Sequence, residues 1–265
     1  MTQYDLAVIP AAGRGQRLDR PDTPKPLVDV EGKPLILNIL ERLEEAGLER
    51  AVVLTGYEGQ RVARELTNHP ELELDVDCVE AEQWERGLAS TLYAAREHVS
   101  EPFVLAMADH IFEQATVADF VASADDSGAR MLVDRDVDRI YALEDAMKVA
   151  LEDGRVTACG RNLDEFDAVD AGLFALEPDF FETLEGVLAD SPEAELGDVI
   201  DAMSDESTVA IHEIDGASWH DIDTPPSLIR AEMEYRKQRR REYISDTSFR
   251  GESVDPSYAY QFTTG

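Results

Sequence analysis

Short apolar runs alternate with amphipathic stretches along the first half of the chain, and this alternation predicts strands and helices in turn. Four runs have the composition of buried strands in a mostly parallel sheet: Leu6–Ala12, Ala51–Thr55, Leu72–Val79 and Phe103–Met107. The stretches between them carry apolar residues at helical spacing and predict crossover helices: Pro34–Ala46, Gln60–Leu66 and Leu88–His98. Such alternation favours an α/β fold with a doubly wound sheet.

The pattern changes after residue 127, where the predicted elements become antiparallel additions to the sheet. Four further strands are expected: Ala129–Val133, Ala146–Leu151, Val156–Cys159 and Ala168–Leu176. A last helix is predicted from Pro225 to about Tyr243, with Thr224 as its N-cap. We therefore expect one domain over residues 1–235, with halves at 1–127 and 128–223, then the helix over 224–243 and a flexible tail over 244–265.

The chain is strongly acidic: its 265 residues include 57 Asp and Glu against 24 Lys and Arg, which gives a formal net charge of −33. Such a surface repels nucleic-acid phosphates and anionic lipid, so no nucleic-acid partner is expected. The 43% of apolar residues can still fill a core, which excludes wholesale disorder. The acidic excess and the scarcity of lysine lead to the hypothesis of adaptation to high salt.

This hypothesis makes a prediction about stability in salt. Repulsion between carboxylates should loosen the fold at low ionic strength, because the Debye length is about 30 Å at 0.01 M salt and about 3 Å at 1 M. We expect the melting temperature to rise with KCl over this range, as measured by scanning fluorimetry. A melting temperature that does not respond to KCl would contradict the hypothesis.

Neither a cysteine metal centre nor a membrane span is predicted. Cys78 and Cys159 are the only cysteines, and they lie far apart without a Cys-x-x-Cys motif, so each is interpreted as a small buried apolar residue. No run approaches the roughly 18 apolar residues of a transmembrane helix, and the N-terminus lacks a secretion signal. We expect a soluble, reduced, cytoplasmic protein.

The segment after the first predicted strand is the best candidate for phosphate binding. Gly13 and Gly15 leave backbone N–H groups open to phosphate oxygens, and Arg14, Arg17 and Lys25 add positive charge nearby. A dinucleotide fingerprint would need glycine at position 18 and an immediate helix, but leucine stands there and prolines follow at 21 and 24. A P-loop is excluded because proline follows the Gly-Lys pair at 32–33. The loop therefore favours a triphosphate.

Residues 11–17 (Ala-Ala-Gly-Arg-Gly-Gln-Arg) and the following Pro24-Lys25-Pro26-Leu27 resemble the opening of the nucleotidyltransferases that activate sugar 1-phosphates and related phosphomonoesters. Pro10 and Gln16 depart from that pattern without removing a charged contact. The resemblance implies that Arg14 and Lys25 act in catalysis and that the nucleotide is bound by these two and by Ala11, Ala12, Gly13 and Gly15. It further implies that the turn over 81–90 contacts base and ribose, with Glu82, Gly87 and Ser90 as candidates and Gln83 as the alternative to Glu82 for reading the base.

The resemblance also implies a Mg²⁺ cofactor held by Asp109 and Asp221. Asp109 closes the apolar run 105–108, where ligands of open α/β sheets bind, although a helix cap is the alternative for such a residue. Asp221 lies in a Trp-x-Asp stretch like the one that supplies the family's second carboxylate. Asp223 is interpreted as part of the helix N-terminus. His110 would support Asp109 or contact the acceptor.

The second half is similar to the archaeal inositol-1-phosphate cytidylyltransferases, at residues 107–112, 133–135, 146–149, 152–156 and 164–174. This implies CTP and inositol 1-phosphate as substrates, and a membrane-embedded phosphotransferase on a separate chain as a downstream partner. Lys148 is the candidate for catalysis and for the acceptor phosphate, with a surface salt bridge as the alternative, and Asp170 is the candidate for acceptor hydroxyls. The mechanism would rest on positioning and electrostatic stabilisation, without a histidine base.

Several alternatives stay open at this point. The acceptor could instead be a hexose 1-phosphate or phosphocholine, with another base, and a homo-oligomer is left open. A non-catalytic nucleotide-sensing paralogue is disfavoured because Arg14, Lys25, Asp109 and Asp221 are all retained. The basic run Arg236–Arg241 either complements the dipole at the end of the last helix or docks to an anionic membrane or acidic partner.

Overall fold

The fold is organised around β1 (Leu6–Ala11), a strand whose six residues are all buried. Leu6 and Val8 point to one face of the sheet, whereas Ala7, Ile9 and Ala11 point to the other, because successive side chains of a strand alternate. Apolar residues at every position therefore predict a strand covered on both faces. The structure, a computed structural model, describes residues 4–67, 69–70, 72–123, 128–206 and 209–249.

The remaining elements follow in chain order. The other strands are β2 (Asp29–Val30), β3 (Lys33–Pro34), β4 (Arg50–Thr55), β5 (Asp75–Glu80), β6 (Phe103–Ala106), β7 (His110–Phe112), β8 (Arg130–Asp134), β9 (Lys148–Glu152), β10 (Arg155–Gly160), β11 (Ala168–Leu176), β12 (Ala210–Glu213) and β13 (Trp219–Asp221). The helices are α1 (Leu35–Glu45), α2 (Gly59–Leu66), α3 (Leu88–Leu92), α4 (Gln114–Ser123), α5 (Phe180–Asp190), α6 (Leu196–Glu206) and α7 (Pro225–Phe249).

A nine-stranded sheet of order β5-β4-β1-β6-β11-β8-β12-β10-β9 forms the centre. Its first four strands are parallel to their neighbours, so their carboxyl ends lie at one edge. β11 runs antiparallel to both β6 and β8, and β10 is antiparallel to β9 and β12. The predicted α/β class, with a parallel first half and antiparallel additions in the second, is confirmed, although β12 runs parallel to β8.

Helices cover both faces of this sheet. α1, α2 and α4 pack on one face, and α3, α5 and α6 pack on the other, so that each face has its own apolar core. A third, smaller cluster joins the loop after β1 to β7, β13 and α7; its members are Leu18, Val28, Val30, Leu35, Ile111, Ile222, Leu228 and Ala231. This cluster holds the first turns of α7 against β7 and the loop that follows β1.

Some elements differ from the sequence prediction. The helix expected over Leu88–His98 is the short α3, followed by a 3₁₀ turn over Tyr93–Glu97. The sequence analysis did not predict β7 and β13, because three-residue strands are too short to show alternation. It also missed β2, β3, β12 and three helices (α4, α5 and α6).

The N-cap predicted for the last helix is confirmed, since the backbone N–H of Ser227 donates to Oγ1 of Thr224 at 3.3 Å. α7 continues beyond the predicted end at Tyr243 to Phe249, and residues 250–265 of the predicted tail lie outside the described residues. The basic run therefore precedes the last turn of α7, so the dipole interpretation is wrong. Within the described part of the chain, no helix is both long enough and apolar enough to cross a bilayer.

Candidate active site

The loop after β1 closes tightly around Lys25. Gly15 has φ +68°, and a Cβ built there would lie 2.6 Å from Cβ of Lys25. The backbone N–H of Leu18 donates to the carbonyl of Gly15 at 3.0 Å, and Leu18 is buried in the third apolar cluster. Only glycine combines this left-handed backbone with so close an approach. The loop thereby places the Lys25 side chain at the sheet edge.

Lys25 is the centre of a charged cluster. Its ammonium donates to Asp109 and to Asp223, and Asp223 also accepts from Arg17. Burial alone would lower the pKa of Lys25, but the negative charges of Asp109, Asp223 and Asp221 hold that pKa above its usual range. Lys25 therefore keeps its positive charge. Asp223, predicted to be part of the helix N-terminus, also reaches the loop after β1 with its carboxylate.

Strand pairing brings Asp221 beside Asp109. β7 and β13 are antiparallel, with Asp221 opposite His110, and the backbone N–H of Ile222 donates to the carbonyl of Asp109 at 2.9 Å. Asp109 itself follows β6, whose end is at the edge where β1 also ends. Ligand atoms of Asp109, His110 and Asp221 all lie within 4.8 Å of one another. Residues more than a hundred positions apart thus form one cluster.

His110 orients Asp109. Its Nδ1 is 2.8 Å from Oδ1 of Asp109, and its ring is stacked on that of Trp219 at 5.5 Å between centroids. Burial alone would lower the pKa of His110, but the hydrogen bond and charge of Asp109 raise it to about 9. Trp219 is fixed in turn, because its Nε1 donates to Asp134 at 2.9 Å. The predicted support of Asp109 by His110 is thus present in the geometry.

The ring of His110 also requires a glycine on the neighbouring strand. Gly172 in β11 has φ +82°, and a Cβ there would lie 2.8 Å from Cδ2 of His110. The same position breaks the regular pairing of β11 with β8 between Asp170 and Phe174. This bulge lets the imidazole pass close to the strand.

The donor set of this cluster suits a hard divalent cation. Burial and the nearby charge of Asp109 raise the pKa of Asp221 to about 6, so the two carboxylates repel each other where they stand. A cation bound between carboxylates relieves such repulsion, and Mg²⁺ prefers oxygen ligands. With Nδ1 of His110 already bonded to Asp109, the imidazole acts on the carboxylate, a common arrangement around metal ligands.

Two cavities meet at this cluster. The first, of about 540 Å³, is lined by the loop after β1 and by the turn at 84–91. The second, of about 390 Å³, is lined by the segment 139–147, β13 and the first turns of α7. Both are lined by Arg17, Asp109, Arg161 and Asp223. The two cavities are therefore adjacent at Asp109.

The first cavity contains most of the residues predicted to bind nucleotide: Ala11, Ala12, Gly13, Arg14, Gly15, Lys25 and Gly87. Glu82 and Ser90 are not among its lining residues. Glu82 is exposed, and the hydroxyl of Ser90 donates to the carbonyl of Pro192 at 3.2 Å. The sequence analysis missed Trp84, which lines the cavity instead. The sequence did contain a signal for this residue, because Trp84 is an aromatic residue three positions before Gly87 in the same turn.

The second cavity contains Asp170 but not Lys148. The ammonium of Lys148 donates to the carbonyl of Arg161 and lies 5.7 Å from the ring centre of Phe166. The preceding residue, Met147, lines the cavity, and consecutive residues of an extended chain point to opposite sides. In this structure Lys148 therefore does not line the cavity, and its role as an acceptor-binding or catalytic residue stays a prediction. Arg161, which follows β10 and lines both cavities, was missed.

Asp170 is a buried carboxylate in this second cavity. Burial raises its pKa to about 6, and its Oδ1 accepts the backbone N–H of Gly172 at 2.7 Å, which acts in the opposite direction. That hydrogen bond fixes one carboxylate oxygen on the bulge of β11. The second oxygen is available to accept a hydrogen bond from a hydroxyl group.

Comparison with known proteins identifies the family of this chain. A family model, described as the MobA-like NTP transferase domain, matches residues 7–210. The chain belongs to the MobA-like NTP transferase family. The "Bifunctional IPC transferase and DIPP synthase" of Thermococcus kodakarensis is 30% identical over 227 residues, which cover 86% of this chain and 50% of the relative. The chain spans about half the length of the bifunctional relatives it matches.

Two other NTP transferases match along nearly their whole length. The "UTP--glucose-1-phosphate uridylyltransferase AglF" of Haloferax volcanii is 30% identical over 88% of this chain and 97% of its own. The structure of the inositol-1-phosphate CTP transferase from T. maritima shares the fold with a TM-score of 0.75 at 24% identity, covering 88% of this chain and 98% of that one. The family resemblance drawn from the sequence motifs is confirmed.

Proposed function

We propose that this chain is a Mg²⁺-dependent nucleotidyltransferase that joins a nucleoside triphosphate to a phosphomonoester and releases pyrophosphate. The carrying observation is the pair of cavities that meet at Asp109: one lined by the glycine loop and Lys25, the other by carboxylates and arginines. A triphosphate in the first and a phosphomonoester in the second would bring their reacting groups together at the shared residues. Membership of the NTP transferase family supports this assignment.

The reaction is a displacement at the α-phosphorus. An oxygen of the acceptor phosphate forms the new P–O bond, the bond from the α-phosphorus to the bridging oxygen breaks, and pyrophosphate leaves with that electron pair. No proton has to be removed, because the acceptor oxygen is already ionised at neutral pH. Catalysis then consists of positioning two polyanions and offsetting the charge on the leaving group. Lys25, charged and buried between carboxylates, and Arg14 supply that positive charge.

Asp109 and Asp221 would hold the Mg²⁺, whose chemistry is to bind phosphate oxygens and neutralise their charge. His110 and Lys25 fix the Asp109 carboxylate from two sides. The ring stack with Trp219 restrains His110, and the Gly172 bulge makes room for the imidazole. These residues pre-organise the carboxylate before any ligand enters, so that little reorganisation is needed in the transition state.

For the acceptor phosphate we propose Arg161 in place of Lys148. Arg161 lines both cavities, and its guanidinium bonds the carbonyl of Asp145 and approaches Glu195 at 3.4 Å. A planar guanidinium can donate two parallel hydrogen bonds to a phosphate. Asp170 and Asp134 carry carboxylates in the same cavity and suit acceptor hydroxyls.

The roles of these two cations can be separated by mutation. Arg161→Met should lower kcat/KM for the acceptor by about ten- to a hundredfold, since it removes charge-assisted hydrogen bonds. Lys148→Met should change it by no more than about twofold, as for other residues outside the site. Steady-state kinetics with the acceptor varied at saturating triphosphate provide the measurement. The opposite ranking would restore Lys148 to the site.

Within this reaction class we favour CTP and inositol 1-phosphate. The names of the bifunctional IPC transferases and the T. maritima CTP transferase support this choice, whereas the H. volcanii relative supports UTP and glucose 1-phosphate as the second candidate. Carboxylates in the second cavity fit a polyhydroxylated acceptor of either kind.

Pyrophosphate release tests the function. The assay combines each nucleoside triphosphate with inositol 1-phosphate, glucose 1-phosphate and phosphocholine, in molar KCl with Mg²⁺. Release with CTP and inositol 1-phosphate alone is the expected result. Release with UTP and glucose 1-phosphate would keep the chemistry and replace the substrates. Absence of release across the panel, in folded protein, would favour a non-catalytic nucleotide-binding role.

A further inference from the structure

Each cavity presents one arginine on the face of a tyrosine. The guanidinium of Arg14, in the first cavity, lies 5.1 Å from the ring centre of Tyr57. That of Arg230, in the second, lies 5.6 Å from the ring centre of Tyr141. A guanidinium stacked on an aromatic ring keeps its N–H donors directed outward in the plane of the group, available to another partner.

Arg230 is unusual among the arginines of the second cavity. Arg17 pairs with Asp223 and Asp145, Arg139 with Asp136 at 3.4 Å, and Arg161 with Glu195 at 3.4 Å. Arg230 forms no ion pair with any carboxylate in the described part of the chain. Although acidic residues outnumber basic ones 57 to 24 in the sequence, the guanidinium of Arg230 is therefore not neutralised by direct pairing with a carboxylate and is available to a ligand.

The position of Arg230 is set by α7. Ser227, Arg230 and Glu234 follow one another at spacings of three and four, so they share the helix face that lines the second cavity. Leu228 and Ala231, on another face, are buried in the third apolar cluster and fix the helix. All of these residues lie beyond residue 210, where the match to the family domain ends.

The positive charge of Arg230 complements an anionic ligand in the second cavity. The second cavity is lined by several carboxylates, among them Asp134, Asp170 and Glu195, which repel an anionic acceptor. A guanidinium on the α7 side of the cavity offsets that repulsion and offers paired donors to phosphate or hydroxyl oxygens. Arg14 has the same geometry in the cavity assigned to the triphosphate.

We propose that Arg230 of α7 is an acceptor-binding residue, whose guanidinium, held on Tyr141, donates hydrogen bonds to oxygen atoms of the phosphomonoester. The proposal rests on the proposed function and deepens it. It assigns acceptor recognition in part to a helix outside the family domain, so the acceptor preference of this chain depends on α7 as well as on the sheet.

Kinetics of Arg230→Met and Arg230→Lys test the proposal, with Arg155→Met as the matched control. Arg155 lies at the start of β10, at the other end of the strand from Arg161, and lines neither cavity. Arg155→Met removes the same unit of charge as Arg230→Met, so it reports the effect of net charge alone. We expect Arg230→Met to raise the acceptor KM about tenfold and to leave the triphosphate KM within about twofold. Arg230→Lys should recover part of the loss, because it restores the charge without the planar fork.

Calorimetric binding of inositol 1-phosphate and glucose 1-phosphate, without triphosphate, provides a second readout. Weaker binding of the preferred ester by Arg230→Met than by Arg155→Met would support the proposal. An acceptor KM unchanged in Arg230→Met, or raised no more than in Arg155→Met, would overturn it while the wild-type activity still stands. A wild-type protein that neither turns over nor binds any phosphomonoester would overturn the proposed function itself.

Discussion

Asp109→Asn should lower kcat/KM for pyrophosphate release by about three orders of magnitude, comparable to the loss of a principal electrostatic contact in an active site. Although burial alone would raise the pKa of Asp109, the charge of Lys25 and the hydrogen bond from His110 hold it well below its usual range. The residue is thus a carboxylate at every working pH. Asparagine keeps the size of the side chain and removes the charge, so the substitution tests charge rather than packing.

Steady-state kinetics and thermal melting of the same variant separate catalysis from folding. Lys25 retains Asp223 as a partner, so we expect the fold to persist with a lowered melting temperature. Asp119→Asn is the matched control, because Asp119 is exposed on α4 and the substitution makes the same change of charge outside both cavities. Near-normal activity of Asp109→Asn at saturating Mg²⁺ would contradict the role given to this carboxylate.

The site residues that were predicted from the sequence belong to short, continuous motifs. The glycine loop, Arg14, Lys25 and Asp109 each stand at the end of a parallel strand or in the segment that follows it. Strand ends can be read from apolar runs, and the carboxyl ends of parallel strands meet at one edge. A motif that combines these features is informative because backbone geometry and chemistry are specified by adjacent residues.

The predicted site residues that line neither cavity show the limits of the sequence pattern, because side-chain direction decides which residues face a cavity. Lys148 was chosen as a rare lysine beside an apolar strand, but Met147 faces the cavity and Lys148 does not. A shift of one residue moves a side chain to the other face of a strand, and the apolar pattern around 146–151 did not fix which face was internal. Side-chain direction also places Ser90 outside the first cavity, since its hydroxyl donates to the carbonyl of Pro192.

The contribution of α7 depends on tertiary packing, which no local pattern carries. The sequence predicted where α7 begins, but it did not indicate which face of α7 would line the second cavity. That face is decided by burial of Leu228 and Ala231 against residues such as Leu18 and Ile111. The roles of Asp223 and Arg230 follow from this docking, so they became visible only in the structure.

Gly15→Ala should abolish most of the activity, by about a hundredfold or more in kcat/KM, through the position of Lys25. An added Cβ would lie 2.6 Å from Cβ of Lys25. Because Cβ is bonded directly to the backbone, it cannot rotate out of the way as the far end of a flexible side chain could. The φ of +68° is in the left-handed region, which costs a residue with a Cβ about 1–2 kcal/mol of conformational energy. The loop must therefore shift, and displacement of catalytic groups by about 1 Å is costly for rate.

Gly32→Ala separates the two causes. Gly32 also has a positive φ, +86°, but a Cβ there would meet no atom within 4 Å, so this variant carries backbone strain without the steric contact. We expect Gly32→Ala to lose about 1 kcal/mol of stability and to keep its kcat, whereas Gly15→Ala loses both stability and kcat. Chemical denaturation and pyrophosphate-release kinetics of the two variants make the comparison. Equal kcat in both would show that the contact between Gly15 and Lys25 does not position the ammonium for the reaction.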